Sequence, residues 1–202
     1  MLVRAPECLA YNSLRRRTMD SNDNPTRHTN SRWAITIRAR EPDDIGACVT
    51  LLADVHAADS YPLHWPADPG AWLTQNGLLA TWVAESSSGM VGHVALRSAA
   101  AESGASLWSS ACDLPPERLA AIARLFAAPS ARGHGVGSAL LDVACDEARR
   151  RGLRPVLDVL DMNQSAITLY ERKGWRRVAS VPAPWAQADG REHFLLYYIS
   201  PS

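Results

Sequence analysis

No sign of charge predominates in this chain: 21 Lys and Arg stand against 21 Asp and Glu in 202 residues, a formal net charge of +0. A neutral balance offers no electrostatic footprint for a polyanion, so nucleic acid is not an expected partner. Long apolar runs are missing too. No stretch approaches the roughly 18 to 20 apolar residues that a membrane-spanning helix requires, and no membrane association is expected. Cysteines are few and scattered, at Cys8, Cys48, Cys112 and Cys145, with no C-x-x-C pair and no histidine at ligand spacing. That scatter argues against a metal site and against a disulfide framework, and it points to a reducing compartment, the cytoplasm. What remains is a chain with 47% hydrophobic residues, enough for one globular domain with a full core.

The N-terminal segment differs from the rest. Asn12 to Ser31 is dense in Asn, Ser, Thr, Asp and Arg, holds Pro25 and has no apolar periodicity, so residues 1–32 are expected to form a disordered tail and residues 33–202 one domain. Leu9, Leu14 and Arg15 to Arg17 do not make a targeting segment, because no continuous apolar run and no small-residue cleavage pattern accompany them. Met1 and Met19 are alternative starts of translation.

From Trp33 onward the pattern is ordered. Ile35, Ile37 and Ala39 alternate with Thr36 and Arg38 as in a half-buried strand, and Pro42-Asp43-Asp44 opens a helix with Ile45, Cys48, Val49 and Leu52 at core spacing. A proline- and aromatic-rich break runs from Asp59 to Pro66, and Asp68-Pro69-Gly70 starts a second short helix. Leu79 to Glu85 and Val91 to Arg97 read as an antiparallel hairpin joined through Ser86 to Gly89. Ala99 to Pro116 is polar and irregular, a lid or a long loop. Arg177 to Val181 and Phe194 to Ile199 are the last two strand candidates.

The most informative stretch is Leu125 to Ser138, which reads as a strand, a glycine-bearing turn and a helix. Gly133, Gly135 and Gly137 leave backbone N–H groups uncovered by side chains, the helix N-terminus behind them carries partial positive charge, and Arg132 adds a full charge, so a pyrophosphate fits there. A Walker-type loop would need Gly-Lys-Ser/Thr, and no lysine follows these glycines; a dinucleotide fingerprint would need G-x-G-x-x-G, and the spacing here is G-x-G-x-G. Val136, Leu140, Leu141, Ala144, Cys145 and Ala148 then form one apolar face, with Asp146 to Arg150 and Glu147 to Arg151 spaced for ion pairs and Gly152 as the stop. Pro155 to Leu160 follows as a strand, parallel to the strand before the loop. Asp161 to Ser165 starts a helix on which Ala166, Leu169, Tyr170 and Lys173 share a face before Gly174.

The segment R-x-x-G-x-G after an apolar strand, together with Asn163-x-x-Ala166-x-x-Leu169-Tyr170-Glu171-Arg172-x-Gly174-Trp175, resembles the two signatures of the GNAT (GCN5-related N-acetyltransferase) superfamily. The resemblance implies an α/β fold in which a central mixed, mostly antiparallel sheet with one parallel motif-strand pair is flanked by helices. It implies acetyl-CoA as cosubstrate, held by Leu125, Phe126 and Ala127 along the pantetheine, by Arg132, Gly133, His134, Gly135, Val136, Gly137 and Ser138 at the pyrophosphate, and by Asn163 on the far side of the groove. It implies transfer of the acetyl group to a primary amine of a small molecule or protein, with Tyr170 as general acid for the leaving thiolate. Rival readings are transfer of another acyl group and a catalytically silent CoA-binding or partner-binding domain. Many relatives dimerise, and nothing in the sequence fixes the oligomeric state.

The general base is not evident, because Ala120 to Ala123 stand where many relatives carry a glutamate. Glu85 and His93 are the base candidates, with Glu117, His56 and His64 behind them, each with a plainer reading as a solvated strand end, a strand histidine, a helix-entry charge or pocket lining. Tyr61, Trp65 and Trp72 suggest an aromatic wall at the acceptor, and Asp59 and Asp113 are candidates to attract a cationic one.

Overall fold

Seven strands hydrogen-bond in the order β1-β2-β3-β4-β5-β7-β6, and the computed structural model describes residues 34–185 and 191–201, all within the compact unit Ser31–Ser202. The tail expected over residues 1–32, and Trp33, lie outside the described residues. The strands are β1 (Thr36–Ala39), β2 (Leu78–Ser86), β3 (Gly89–Ser98), β4 (Leu119–Ala127), β5 (Arg154–Leu160), β6 (Arg176–Pro182) and β7 (Phe194–Ile199). The helices are α1 (Ile45–Asp59), α2 (Pro69–Leu73), α3 (Ala105–Cys112), α4 (Val136–Arg150) and α5 (Gln164–Arg172). All pairings are antiparallel except β4 with β5, the α/β arrangement expected.

Alternation splits the sheet into two covered faces. Leu96, Ala120, Ile122, Leu157, Leu196 and Tyr198 join the larger core with the apolar stripe of α4, whose six expected positions from Val136 to Ala148 are all buried. Ala121, Val156, Tyr197 and Ile199 join a smaller core around Trp108 of α3. Burial of such faces is the main favourable term, on the order of 1.5–3 kcal/mol per large side chain.

Gly92 marks how closely α4 approaches β3. A Cβ built there would stand 2.7 Å from Leu140 Cδ1, 2.9 Å from Val136 Cγ1 and 3.3 Å from the Phe126 carbonyl oxygen. Gly92→Ala should therefore lower stability by about 1–3 kcal/mol through overpacking, read as a fall in the thermal midpoint; an unchanged midpoint would mean that α4 yields freely.

Three expectations are corrected. The segment Ala99–Pro116 is not simply a loop or lid: it holds α3, whose Trp108 is 0% exposed and stacks edge-on against Tyr197 at 5.4 Å. Its polar composition hid one apolar stripe, which one buried indole suffices to dock. Arg150 pairs with Glu147, not Asp146; Arg149 takes Asp146 and Arg151 joins Glu147, because i,i+3 neighbours are as close as i,i+4 ones on a helix. Ala39 is exposed at the end of β1, where Arg38 instead gathers Asp44 and Glu85 into a surface cluster.

Candidate active site

Between β4 and β5 the ladder has three pairs, Leu119↔Arg154, Ala120↔Pro155 and Ala121↔Val156, and then the strands part. Their separated halves, Ile122–Ala127 and Leu157–Leu160, bound a wedge-shaped cleft. A bulge on β4 opposite His93 and Ala95 helps to divert the strand, and within it Arg124 has φ 51, in the left-handed region that a non-glycine residue enters only when its surroundings hold it. His93 holds it here: Nδ1 donates to the Arg124 carbonyl at 3.0 Å, Arg40 Nη1 donates to Nε2 at 3.0 Å, and the ring stacks on Phe126 at 5.1 Å. Both ring nitrogens are thus engaged. Burial, with Arg40 and Arg124 adding to it, pushes the imidazole down to about 4. A base candidate needs a free lone pair, and the Arg40 hydrogen bond occupies the one on Nε2. His93 is a strut for the bulge.

One end of the cleft is the glycine loop. After β4 comes a short turn, Pro129–Ala131, followed by Gly133 at φ 76 and Gly135 at φ 81, positions that L side chains adopt only with strain. A Cβ at either would meet nothing within 4 Å, so the space over the loop is open. Ala139 donates to the Gly135 carbonyl at 2.9 Å, which leaves the N–H groups of Val136, Gly137 and Ser138 ahead of the first intrahelical acceptor. The cradle is a true helix N-terminus. Gly137 differs from the other two: it lies within α4, where a Cβ would meet Leu169 Cδ2 at 3.6 Å, an ordinary contact. Arg132 pairs with Asp59 at the end of α1, and His134 Nδ1 donates to the Arg132 carbonyl at 2.8 Å.

Along the wall, Ala128 donates to the Val91 carbonyl at 2.9 Å, so by alternation the peptide groups of Ala127 turn away from β3 and into the cleft. Phe126 faces β3 and buries its ring; Leu125 lies in the wall beside the bulge. Asn163 occupies the N-cap of α5 across the cleft, its carbonyl accepting from Ala166 and Ile167 and its side chain making no cap bond. Tyr170 is buried, and its hydroxyl has no hydrogen-bond partner among the described residues, in contrast to Tyr198, whose hydroxyl donates to Glu171 at 3.2 Å. Burial, then Tyr61, Asp158 and Cys145, raises the Tyr170 phenol well above its ordinary value, so it stays protonated at neutral pH.

The residue that sequence reasoning missed is Asp158. It follows Val156 by two, so it projects from the same face toward α3, its side chain exposed to solvent while protein groups crowd around the carboxyl. Burial, reinforced by Glu102, raises its carboxyl to about 6, with Arg97 and Arg124 acting the other way. The available signal was one carboxylate inside the otherwise aliphatic run Pro155-Val156-Leu157-Asp158-Val159-Leu160. Around it stand Tyr61, raised to about 12 by burial, and Arg124, whose guanidinium lies over the Trp72 ring at 4.3 Å and donates to Gln75 Oε1 at 2.5 Å.

The other sequence candidates stand apart. Glu85 accepts from Arg38 at 2.7 Å in the β1–β2 edge cluster, two strands away from β4. Trp65 is 41% exposed and packs on His56 at 5.2 Å, so of the aromatic wall only Tyr61 and Trp72 reach the cleft. Glu117 is exposed; His56 donates to the Pro62 carbonyl and His64 to that of Trp185. Asp59 is taken by Arg132, and Asp113 closes α3 in the left-handed conformation. Among the described residues no group of three or more His, Cys, Asp or Glu is arranged to hold a metal ion, and no helix is long and apolar enough to cross a membrane. A groove of about 420 Å³ lined by Asp161, Gln164, Glu171 and Arg177 shares no residue with this cleft.

Known proteins share this fold. The ribosomal-protein-S18-alanine N-acetyltransferase from Escherichia coli superposes with a TM-score of 0.59 at 21% identity, covering 84% of this chain and 96% of that one. The protein yncA from Salmonella typhimurium, solved with its cofactor acetyl-CoA, superposes with a TM-score of 0.59 at 22% identity, covering 82% and 92%. In sequence, a mycothiol acetyltransferase from Geodermatophilus obscurus is 44% identical over 77 residues, which is 38% of this chain and 25% of that protein, so the match spans about a quarter of the relative's length. The model of the acetyltransferase (GNAT) family matches residues 48–175, a span that runs from α1 to the end of the second signature and encloses the glycine loop, Asp158 and Tyr170. With cleft, loop and both signatures inside that one match, the chain belongs to the GNAT acetyltransferase family.

Proposed function

We propose that the chain is an N-acetyltransferase that moves an acetyl group from acetyl-CoA directly to a primary amine, a small molecule in preference to a protein. One observation carries this reading: an amide-lined anion cradle stands at the end of the cleft where β4 and β5 part, with Asp158 on one of the parting strands and Tyr170 near enough to feel its charge. The open space over Gly133 and Gly135 and the free first-turn amides of α4 fit a pyrophosphate, and the inward peptide of Ala127 fits the amide-bearing arm of such a cosubstrate.

Each chemical task has a residue. Asp158, with its raised carboxyl, takes the proton that the amine nitrogen loses as its lone pair bonds to the thioester carbon. The Ala127 N–H, turned into the cleft, is the donor assigned to the thioester carbonyl in this reading, with its carbonyl left for the amide-bearing arm. Tyr170 gives its proton to sulfur as the carbon–sulfur bond breaks, leaving an amide, a thiol and a proton to be returned from Asp158 to Tyr170 through solvent. Glu85 and His93 are not needed as bases. The thiols of Cys48, Cys112 and Cys145 are free, in keeping with a cytoplasmic enzyme.

Calorimetric titration should give saturable binding of acetyl-CoA and desulfo-CoA and none of ATP. No binding to either CoA species by folded protein would end this reading. Tyr170→Phe should then lower kcat about 10²-fold with little change in CoA affinity, because the phenol acts on the leaving group and not on the bound ground state. Equal turnover would return Tyr170 to the role of packing.

A further inference from the structure

We propose that the amine acceptor carries a carboxylate beside the reacting nitrogen, as a free amino acid does, and that Arg124, supported by Arg97, is the seat for that anion. This rests on the reading of the cleft as an amine acetyltransferase site and adds the substrate class.

The first ground is a half-buried charge with no carboxylate in contact. Arg97 lies level with Ala121 and Val156 in the sheet, on the face from which Asp158 projects. It is matched by Glu102 at 2.8 Å and donates to the Asn76 carbonyl at 3.1 Å. Arg124 has no such match. It makes one hydrogen bond, to the neutral amide of Gln75; its Nε is buried with no acceptor, and its Nη1 has none among the described residues. A half-buried guanidinium with no carboxylate in hydrogen-bond contact is costly, and a second guanidinium near it adds repulsion. The carboxylates whose charge reaches Arg124 are Glu102, already paired with Arg97, and Asp158, which the proposed chemistry makes neutral at the moment it accepts the amine proton. An anion brought by the acceptor would balance Arg124 throughout.

The second ground is the aromatic wall. Trp72, the side chain best suited to hold an alkylammonium, already has the Arg124 guanidinium over its ring. The protein's own cation fills that place, which disfavours a cationic acceptor and fixes the plane in which Arg124 presents its free edge. The third ground is reach. Arg124 is in the bulge at the mouth of the wedge, close enough to Asp158 and Tyr61 for their charges to interact, and in an amino acid only one carbon separates amine from carboxylate.

The experiment compares L-amino acids with their own α-carboxamides, which keep shape and amine and lose only the charge. Initial rates of CoA release should favour the acids by roughly tenfold or more in kcat/KM, the worth of one charge-assisted contact. Arg124→Gln should abolish that preference and Arg124→Lys retain part of it, with the KM for acetyl-CoA unchanged and the thermal midpoint recorded for both variants. Equal or better turnover of the carboxamides overturns the inference and leaves amine acetylation standing; it would favour a peptide N-terminus. Where no amine of either series turns over, amine acetylation itself fails. Titration of the CoA-loaded protein with N-acetyl-L-amino acids against their carboxamides then decides the charge seat alone, and equal binding or no binding overturns it.

Discussion

Asp158→Asn is expected to lower kcat/KM roughly 10²- to 10⁴-fold at neutral pH, the range that general base catalysis supplies. Asparagine keeps the size and most of the hydrogen-bonding reach of the side chain but has no proton-accepting oxygen of useful basicity. In the unmodified protein, activity should rise with pH through an apparent pKa of about 6, because below it the carboxyl is protonated and cannot serve as base. The variant should lose that acid limb along with its rate. Stability should move the other way. The folded carboxyl titrates near 6 and an unfolded one near 4, so between these values the folded protein binds the extra proton and stability falls as pH rises; above about 6 the penalty is fully present. Asp158→Asn removes the penalty and should raise the thermal midpoint at neutral pH. A residue whose removal stabilises the fold while it disables turnover is kept for chemistry. A variant with wild-type turnover and an unshifted pH profile would take the base role away from Asp158.

Gly135→Glu is expected to weaken acetyl-CoA binding by about a hundredfold or more, since losing two charge-assisted hydrogen bonds of roughly 1.5–3 kcal/mol each exceeds that factor. The carboxylate would enter the open space over the loop, where a pyrophosphate needs the amides of Val136, Gly137 and Ser138. Two effects mix in this variant, because φ 81 at Gly135 strains any L residue and a negative side chain repels the ligand. Gly135→Ala separates them: it carries the strain of about 1–2 kcal/mol without the charge, so it should lower the thermal midpoint and leave most of the affinity. Equal affinities for the glutamate variant and the unmodified protein, measured calorimetrically, would remove the loop from the binding site.

The regions that were legible early are those whose cause is local. The α4 stripe from Val136 to Ala148 follows from 3.6-residue periodicity alone, and each position in it is buried. Gly133, Gly135, Gly152 and Gly174 hold the left-handed conformations that turn chemistry asks of them. The parallel β4–β5 pair follows from a strand–helix–strand connection of short loops. Polar composition misled over Ala99–Pro116, because helix formation there depends on a seat for Trp108 that β7 provides and no local pattern announces.

The site itself was half legible. The glycine loop and Tyr170 come in contiguous signatures, whereas Asp158 and Arg124, the proposed base and the proposed charge seat, do not. Trp65 looked equivalent to Tyr61, yet one lies back on His56 and the other reaches Phe126. His93 looked like a base until both its nitrogens were accounted for by Arg40 and the Arg124 carbonyl.

By itself, then, the order of residues determined most of the elements, the glycine turn at the head of α4 and the family to which the chain belongs, since each depends on groups a few positions apart. The tertiary structure alone decided which carboxylate becomes basic. Asp158 is an ordinary strand aspartate until β4 and β5 part beside it and Glu102, Arg97, Arg124, Tyr61 and Tyr170 converge from five other segments. Burial and the sum of neighbouring charges set a pKa, and both are properties of the packed chain.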